Sequence, residues 1–472
     1  MLRHFFTVTF IFLSILLKAQ LTVSGTITDE ESGEQLLFVS IYDEETGIGT
    51  VSNEYGFFSF TIPSDSALIN IEFLGYGIKK MKVDKDNVKG LDFSLKKETT
   101  EIKVVEINFK RTPQEEIHNS TQMSAIKIPI KDIRNIPSIG GETDIIKVIQ
   151  LMPGVQKGGE GGTGMYVRGG DVDQNLVILD EATVYNVGHL FGFFSVFNQD
   201  AIKDMTLYKG AFPSKYGGRL SSVLDIKMNE GNNNTFHGKG GIGLLSSRLM
   251  IEAPLKKNKG SFMIAGRRTY IDQVFKWVGG FLPYYFYDLN AKFNYKIDKK
   301  NHIFFSSYIG NDVLNFDQSD VEEDALLNFG FTLGNVTSSL RWNRIINDKT
   351  FANYSAFYTN FDYNINGKIE DNSLYISSAI NDYGAKVDYE HFKSKKHTFR
   401  YGGVGVYHEF KPNIVNTQGQ IEEFLESDRG DVLGTFETGA YFQDVYKPDS
   451  SKWEFRMGLR LSSVLVKEKA FG

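Results

Sequence analysis

The sequence predicts a mainly β protein, with an N-terminal β-sandwich, an α+β domain after it and a partial antiparallel transmembrane β-barrel at the end. Aromatic residues make up 14% of the 472 residues, and 46 Gly far outnumber 10 Pro, which is the usage of a β-rich protein. The mean hydropathy is -0.25, and no apolar run of about 18 residues follows the N-terminus. These features exclude a bundle of membrane-spanning helices, whereas barrel strands alternate and average out to mildly polar.

Charge and cysteine content exclude several classes of function. The 52 Lys and Arg against 58 Asp and Glu leave a net charge of -6, so there is no basic surface for nucleic acid. The absence of Cys excludes disulfides, thiolate metal sites and cysteine nucleophiles. The eight His show neither H-x-x-x-H nor H-E-x-x-H spacing, and no Ser lies in a G-x-S-x-G motif. We therefore expect no catalytic residues, no metal site and no cofactor.

Residues 1–19 are predicted to be a secretory signal peptide. Arg3 and His4 precede the mostly apolar stretch from Phe5 to Leu17, and Ala19 offers a small residue before the cleavage site. The alternative is a short membrane anchor. An apolar stretch of about thirteen residues is too short to cross about 30 Å of hydrocarbon as a helix, so we favour export.

Residues 20–97 are predicted to form a small antiparallel β-sandwich. Apolar residues alternate with polar ones from Val23 to Asp29, and further strand-like runs lie at 38–42, 56–60 and 69–73. Clusters of turn residues such as 52–56 separate these runs, as in sandwiches of short strands.

Residues 98–114 form a linker with one β-prone strip, Lys103, Val104, Val105, Glu106 and Ile107. An exposed strip of this kind can add itself as a strand to the sheet edge of another protein. Taken by itself, the segment is equally compatible with a last strand of the sandwich.

Residues 115–228 are predicted to form a compact α+β domain. Helical spacing of apolar residues over 141–152, with an acidic first turn, ends at Pro153-Gly154. A glycine-rich loop follows, and strand-like stretches come at 165–168, 175–184 and 203–208. A helix followed by several strands indicates a single α+β domain.

Residues 229–472 alternate as long strands, one face apolar with aromatics and the other hydrated, for example from Tyr287 to Ile297. Short Lys-rich turns alternate with longer connections, two of them acidic (312–324 and 411–431), which is the layout of an outer-membrane barrel. A soluble all-β domain also alternates and is the alternative. We count about eleven strands. Because an odd number leaves unpaired backbone groups at an edge, we expect the chain to be part of a longer product.

Two resemblances to known families follow from specific motifs. The stretch Val23 to Asp29, with Asn53, Gly56-Phe57-Phe58 and 73–76 after it, resembles the carboxypeptidase regulatory-like domain, whose members are usually non-catalytic. A second series resembles the plug domain of TonB-dependent outer-membrane receptors. It comprises Ile136 to Lys147, Leu151 to Gln156, Tyr166 to Gly170, Asp173 to Leu176, Leu179-Asp180, Val184 to Asn186, His189 to Gly192, Tyr208 to Gly210 and Tyr216 to Val223. A regulatory-like domain before the plug is typical of Bacteroidetes-type receptors.

The resemblance implies a barrel of roughly twenty-two strands that encloses the plug, of which 229–472 would supply the first half. It implies a cell-outer-membrane location, with the N-terminal domain and plug reached from the periplasm. The expected partners are outer-membrane lipid, TonB of the inner-membrane energy-transducing complex, and an unknown nutrient: an iron chelate, cobalamin, a glycan or a peptide. The acidic loops weakly favour a cationic or sugar ligand. An outer-membrane signalling receptor and a secreted β-rich binding protein are the alternatives.

The resemblance also assigns roles to residues. The strip Lys103 to Ile107 lies where the family keeps its TonB box. Arg168 and Arg219 would pair with barrel glutamates. Tyr185, Asn186, His189, Phe191 and Phe193 lie on an aromatic, glycine-rich loop that would face outward and contact the ligand. Packing of this loop against the barrel wall is the alternative.

Overall fold

The computed structural model describes residues 20–88, 90–98, 125–129, 143–158, 162–280, 282–317, 327–428, 430–448 and 453–466. The predicted fold class is confirmed, because strands dominate these residues and the largest sheet has eleven antiparallel strands. The predicted signal peptide and the strip Lys103 to Ile107 lie outside the described residues.

The N-terminal domain is a sandwich of two sheets, with strand orders β4-β1-β7 and β3-β2-β5-β6. Strand β7 runs parallel to β1, so the predicted antiparallel arrangement is incomplete. Alternate residues such as Val23, Ile27 and Ile41 are fully buried between the sheets. The strands are β1 (Leu21–Asp29), β2 (Ser40–Asp43), β3 (Gly49–Val51), β4 (Phe57–Ile62), β5 (Ser66–Glu72), β6 (Lys79–Asp84) and β7 (Leu91–Leu95).

The central domain places a short helix, α1 (Ile145–Ile149), beside a five-stranded sheet of order β12-β11-β14-β13-β8 and a β9-β10 pair. The Asp144 side chain accepts a hydrogen bond from the Lys147 backbone at 3.0 Å and starts the helix one residue later. The described helix is shorter than the predicted one. The strands are β8 (Ala125–Pro129), β9 (Val155–Lys157), β10 (Met165–Val167), β11 (Asn175–Leu179), β12 (Ala182–Thr183), β13 (Ile202–Tyr208) and β14 (Ser222–Met228).

The third part is an eleven-stranded sheet whose strands pair in chain order. The Lys-rich turns join alternate strand pairs at one end. The other end carries the three longer connections, 270–283, 318–326 and 419–432, together with short turns between β15 and β16 and between β21 and β22. The elements are β15 (His237–Ile242), β16 (Ser246–Lys256), β17 (Gly260–Thr269), α2 (Ile271–Trp277), β18 (Tyr284–Lys296), β19 (Asn301–Asp317), β20 (Leu327–Asn347), β21 (Thr350–Ile369), β22 (Asn372–Phe392), β23 (His397–Gln418), β24 (Leu433–Tyr446) and β25 (Phe455–Val466).

The two faces of this sheet have opposite polarity. On β18, Asp288 and Lys292 are buried against the central domain, whereas Tyr287 and Leu289, on either side of Asp288, are exposed. A soluble sheet buries its apolar face, so polar residues inside and apolar residues outside indicate a lipid-facing wall. Among the described helices, none is both long and apolar enough to cross a bilayer.

Candidate functional site

The loop after β12 is fastened to the eleven-stranded sheet by His189. The His189 ring is 4% exposed, with Nδ1 3.0 Å from Asp312 Oδ2 and Nε2 3.2 Å from Asp288 Oδ2. The ring also stacks on Phe286, with a centroid separation of 3.6 Å. Burial disfavours the imidazolium, but Asp288 and Asp312 outweigh burial and raise the pKa of His189. The His189 ring therefore links strands β18 and β19 to the loop through the two carboxylates.

Further groups from the sheet complete this His189 cluster. Arg267 on β17 donates through Nε to Asp288 Oδ2 at 2.7 Å, and Tyr308 donates to Asp288 Oδ1 at 2.9 Å. Tyr284 donates to Asp312 Oδ1 at 2.6 Å. Arg267 and His189 thus face two carboxylates whose oxygens also accept hydrogen bonds from tyrosines, which makes burial of the charged groups tolerable. In the described residues, no group of three or more His, Asp or Glu is arranged to hold a metal ion.

The other predicted ligand contacts divide into two groups. The Tyr185 hydroxyl donates to Asp382 Oδ2 at 2.7 Å, and the Asn186 carbonyl accepts from the side chain of Asn335 at 3.2 Å. These two residues, like His189, pack against the wall, as the alternative interpretation expected.

Phe191 and Phe193 remain 53% and 56% exposed. Phe191 has a φ of 68°, which is rare for an aromatic residue, and its ring meets that of Tyr284 edge-on at 5.1 Å. The wall contacts of the loop thus hold Phe191 in an uncommon backbone conformation, with the exposed Phe193 two residues after it.

A second set of buried charges, which the sequence analysis missed, lies at the turn between β11 and β12. Asp180 and Glu181 occupy this two-residue turn with φ values of 45° and 82°. Lys292 Nζ lies 2.9 Å from Asp180 Oδ2, and Lys386 Nζ lies 3.1 Å from Glu181 Oε2. Burial opposes ionisation, but Lys292 leads the charges that lower the pKa of Asp180. A two-residue hairpin turn with positive φ at both positions usually has the sequence Asn-Gly. The unusual Asp180-Glu181 pair at such a turn is therefore the sequence signal that could have identified this site.

The two predicted arginines lie on loops of the central domain. Arg168 has a φ of 51°, and its backbone N–H donates to the Gly154 carbonyl at 3.0 Å. Arg219 Nη1 donates to the Gly218 carbonyl at 2.8 Å, and its charge interacts with Glu437 on β24. The Glu437 carboxylate also lies beside Gly218, the residue before Arg219.

Comparison with protein families assigns the first two domains. Residues 23–107 match the CarboxypepD_reg-like domain, and residues 119–222 match the TonB-dependent receptor plug domain. The central domain is therefore similar to a TonB-dependent receptor plug. Its loop from Tyr185 to Phe194 and its β11-β12 turn are the two parts that contact the wall described above. No curated protein sequence matches the chain closely enough to count as a relative.

Solved structures with a similar fold include three outer-membrane receptors or transporters. The siderophore receptor PirA from Acinetobacter baumannii is 16% identical, with a TM-score of 0.53, over 75% of this chain and 58% of that one. FpvA from Pseudomonas aeruginosa, solved with an iron-bound pyoverdine, is 11% identical, with a TM-score of 0.54, over 74% and 52%. The outer-membrane transporter YddB from Escherichia coli is 11% identical, with a TM-score of 0.54, over 72% and 56%. This chain therefore spans somewhat more than half the length of these proteins, and the likeness concerns the fold.

Proposed function

We propose that the chain belongs to a TonB-dependent outer-membrane receptor that binds a scarce, bulky nutrient outside the cell and imports it into the periplasm. The observation that carries the proposal is the plug fastened by two buried ion clusters to the polar face of an eleven-stranded wall. A wall that is apolar outside and polar inside suits a bilayer. A plug blocks diffusion through the lumen, so import needs work, which TonB would supply. Neither cluster has the arrangement of a catalytic site, so we assign transport rather than catalysis.

The strands and turns support an orientation for this receptor. Strands β20 to β23 have 20 to 22 residues, about twice the number that a transmembrane strand needs. The Lys-rich turns from β20 to β21 and from β22 to β23 lie at one end, and we place the surplus length at the other, beyond which the two acidic connections also lie. We assign the tight-turn end to the periplasm and the long-loop end to the cell exterior, as is usual for such barrels.

The exposed aromatic pair lies at the proposed outer end. Leu190 and Phe194 of the plug loop pack in one apolar cluster with Ile271 of α2, and α2 lies in the long loop between β17 and β18. We propose that Phe191 and Phe193 contact the nutrient, since exposed aromatics offer planar apolar surface. Tyr185, Asn186 and His189 would position the loop. An iron chelate, cobalamin, a glycan and a peptide all remain possible cargoes.

The test targets the strip Lys103 to Ile107, the proposed TonB contact. Strand addition needs backbone N–H groups, so V105P should abolish uptake, whereas the matched control V105T keeps the N–H group and a β-prone side chain. Uptake of labelled ferric chelates, cobalamin, oligosaccharides and peptides would be measured in the source cells. Both variants should reach the outer membrane in equal amounts. Unchanged uptake of every cargo in V105P cells would overturn energy coupling through this strip.

A further inference from the structure

The sandwich is seated on the plug and on the tight-turn end of the wall. The seat is the turn before β4, residues 53–57, which we call the docking turn. Asn53 donates to Glu390 Oε2 on β22 at 2.9 Å. Both carboxylate oxygens of Glu54 accept from Lys215 Nζ of the plug, at 2.5 and 2.7 Å. One turn of the sandwich thus contacts the plug and the wall together.

Aromatic packing reinforces the docking turn. The ring centroids of Tyr55 and Phe57 lie 5.1 and 5.6 Å from that of Phe351, and Phe57 also meets Phe392 edge-on at 6.0 Å. All four rings are buried. Phe351 lies at the start of β21 and Phe392 at the end of β22, beside the tight turns. These rings would be exposed to water if the sandwich moved away.

A second contact lies in the loop after β1. The Gln35 backbone N–H donates to Glu230 Oε2 at 3.2 Å, and its carbonyl accepts from Lys203 Nζ of the plug at 2.8 Å. The Asn234 side chain donates to the Glu31 carbonyl at 2.9 Å. With two separate contacts, the sandwich is held in one orientation.

The docking turn reaches the ion cluster that joins the plug to the wall. The Tyr55 hydroxyl donates to Glu181 Oε1 at 3.3 Å, and the opposite carboxylate oxygen of Glu181 faces Lys386 of the wall. Burial opposes ionisation of Glu54, but Lys215 and Lys227 lower its pKa to about 2. Ion pairs of this kind are strong when dry and weak when wet. Removal of the sandwich would admit water to the Glu181–Lys386 pair and weaken plug seating.

The linker lies between the sandwich and the plug in sequence, so a pulling force on the linker would act on both domains. The sandwich ends after β7 at Leu95, and the plug sheet begins with β8 at Ala125. Lys103 to Ile107 lie between them in sequence, so a pull on this strip acts on the sandwich as well as on the plug.

We propose that the sandwich is a periplasmic latch, which holds the plug in the wall while docked and is pulled off before the plug moves. This inference rests on the proposed TonB coupling for its source of force. Detachment breaks the contacts of Asn53, Glu54, Tyr55 and Phe57, and it exposes the Glu181 cluster to water.

Cysteine cross-linking can test the latch, because the chain has no Cys of its own. E54C/K215C would be joined by a short bismaleimide in intact full-length protein, and the joined peptides would be quantified by mass spectrometry. The matched control is E44C/K80C, another Glu–Lys pair at 2.8 Å that lies wholly within the sandwich. In isolated outer membranes, where TonB is not energised, both pairs should cross-link, with E54C/K215C slower to the extent that its side chains are less exposed. In energised cells the E54C/K215C rate should fall by about fivefold or more as the undocked population grows, while V105P should restore it.

Each contrary outcome has a distinct meaning. Absence of the E54C/K215C cross-link in isolated membranes, where E44C/K80C does cross-link, would overturn the docked position itself. Equal rates with and without V105P, in cells where V105P does abolish uptake, would overturn the latch and leave the transport proposal standing. Equal rates together with unaffected uptake would overturn both.

Discussion

Loss of the His189 side chain should release the plug loop from the wall. H189Q removes the imidazolium that faces Asp288 and Asp312. Breaking a buried pair by removing one partner usually costs about 3–5 kcal/mol, and we expect the lower end, because Arg267 and Tyr284 still bond the two carboxylates. About 3 kcal/mol corresponds to a change of about 100-fold in the opening equilibrium of the loop.

Hydrogen exchange of residues 185–194, read by mass spectrometry in the full-length protein, measures that opening. H189Q should lower protection of this segment by about 100-fold, whereas H237Q, which alters a half-buried histidine on β15 outside the His189 cluster, should leave it unchanged. Wild-type protection in H189Q would refute the assignment of His189 as the link between loop and wall.

The same assay gives a pH dependence with a definite sign. The pKa of His189 is raised in the docked loop, so its contribution is complete below the usual histidine pKa of about 6.5 and is lost as pH rises through the raised value. After correction for intrinsic exchange rates, protection should therefore fall with rising pH in the wild type and stay flat in H189Q. Protection that increases with pH in the wild type would contradict the reasoning.

Two further predictions concern the aromatic pair and the second ion cluster. F191A/F193A should weaken nutrient binding by whole cells without lowering the amount of protein in the outer membrane. The control F236A alters an exposed Phe just before β15 and should leave nutrient binding unchanged. Equal binding by the two variants would show that the aromatic pair is not part of the binding site. K292M should destabilise plug seating by about 3–5 kcal/mol in urea titrations, because it leaves Asp180 buried without its nearest cation. Adding D180N should recover most of that loss, and a double variant no more stable than K292M would contradict the pairing.

The fold class could be predicted from the sequence because its signals are local. Two of these signals are the alternation along β18 and the Lys-rich turns before β19 and after β20. Each depends only on residues close in sequence. The parallel pairing of β7 with β1 was not predicted, since sheet order depends on contacts between distant segments. The length of α1 was overestimated because apolar spacing continues through Leu151 and Met152, which lie in turns before Pro153.

Only part of the candidate site could be predicted from the sequence, because many of its contacts join segments that are distant in sequence. The composition of the loop from Tyr185 to Phe194 marked it as binding-prone, yet only the structure separates the buried His189 from the exposed Phe191 and Phe193. Asp180 and Lys292 are more than a hundred positions apart, and no local pattern relates them. The Tyr55–Glu181 contact depends likewise on how two domains meet.

The edge position of β8 determines how far a pull can travel. Among the described strands, β8 pairs with β13 alone, and its five residues are already extended, at about 3.3 Å per residue. A chain stretched to its limit spans at most about 3.6 Å per residue, so stripping β8 from the sheet lengthens the tether by only about 1–2 Å. Separation of β8 from the sheet therefore adds almost no length to the chain that is being pulled. Nearly all of the stroke applied ahead of Ala125 would therefore have to appear as displacement or unravelling of the structure behind β8.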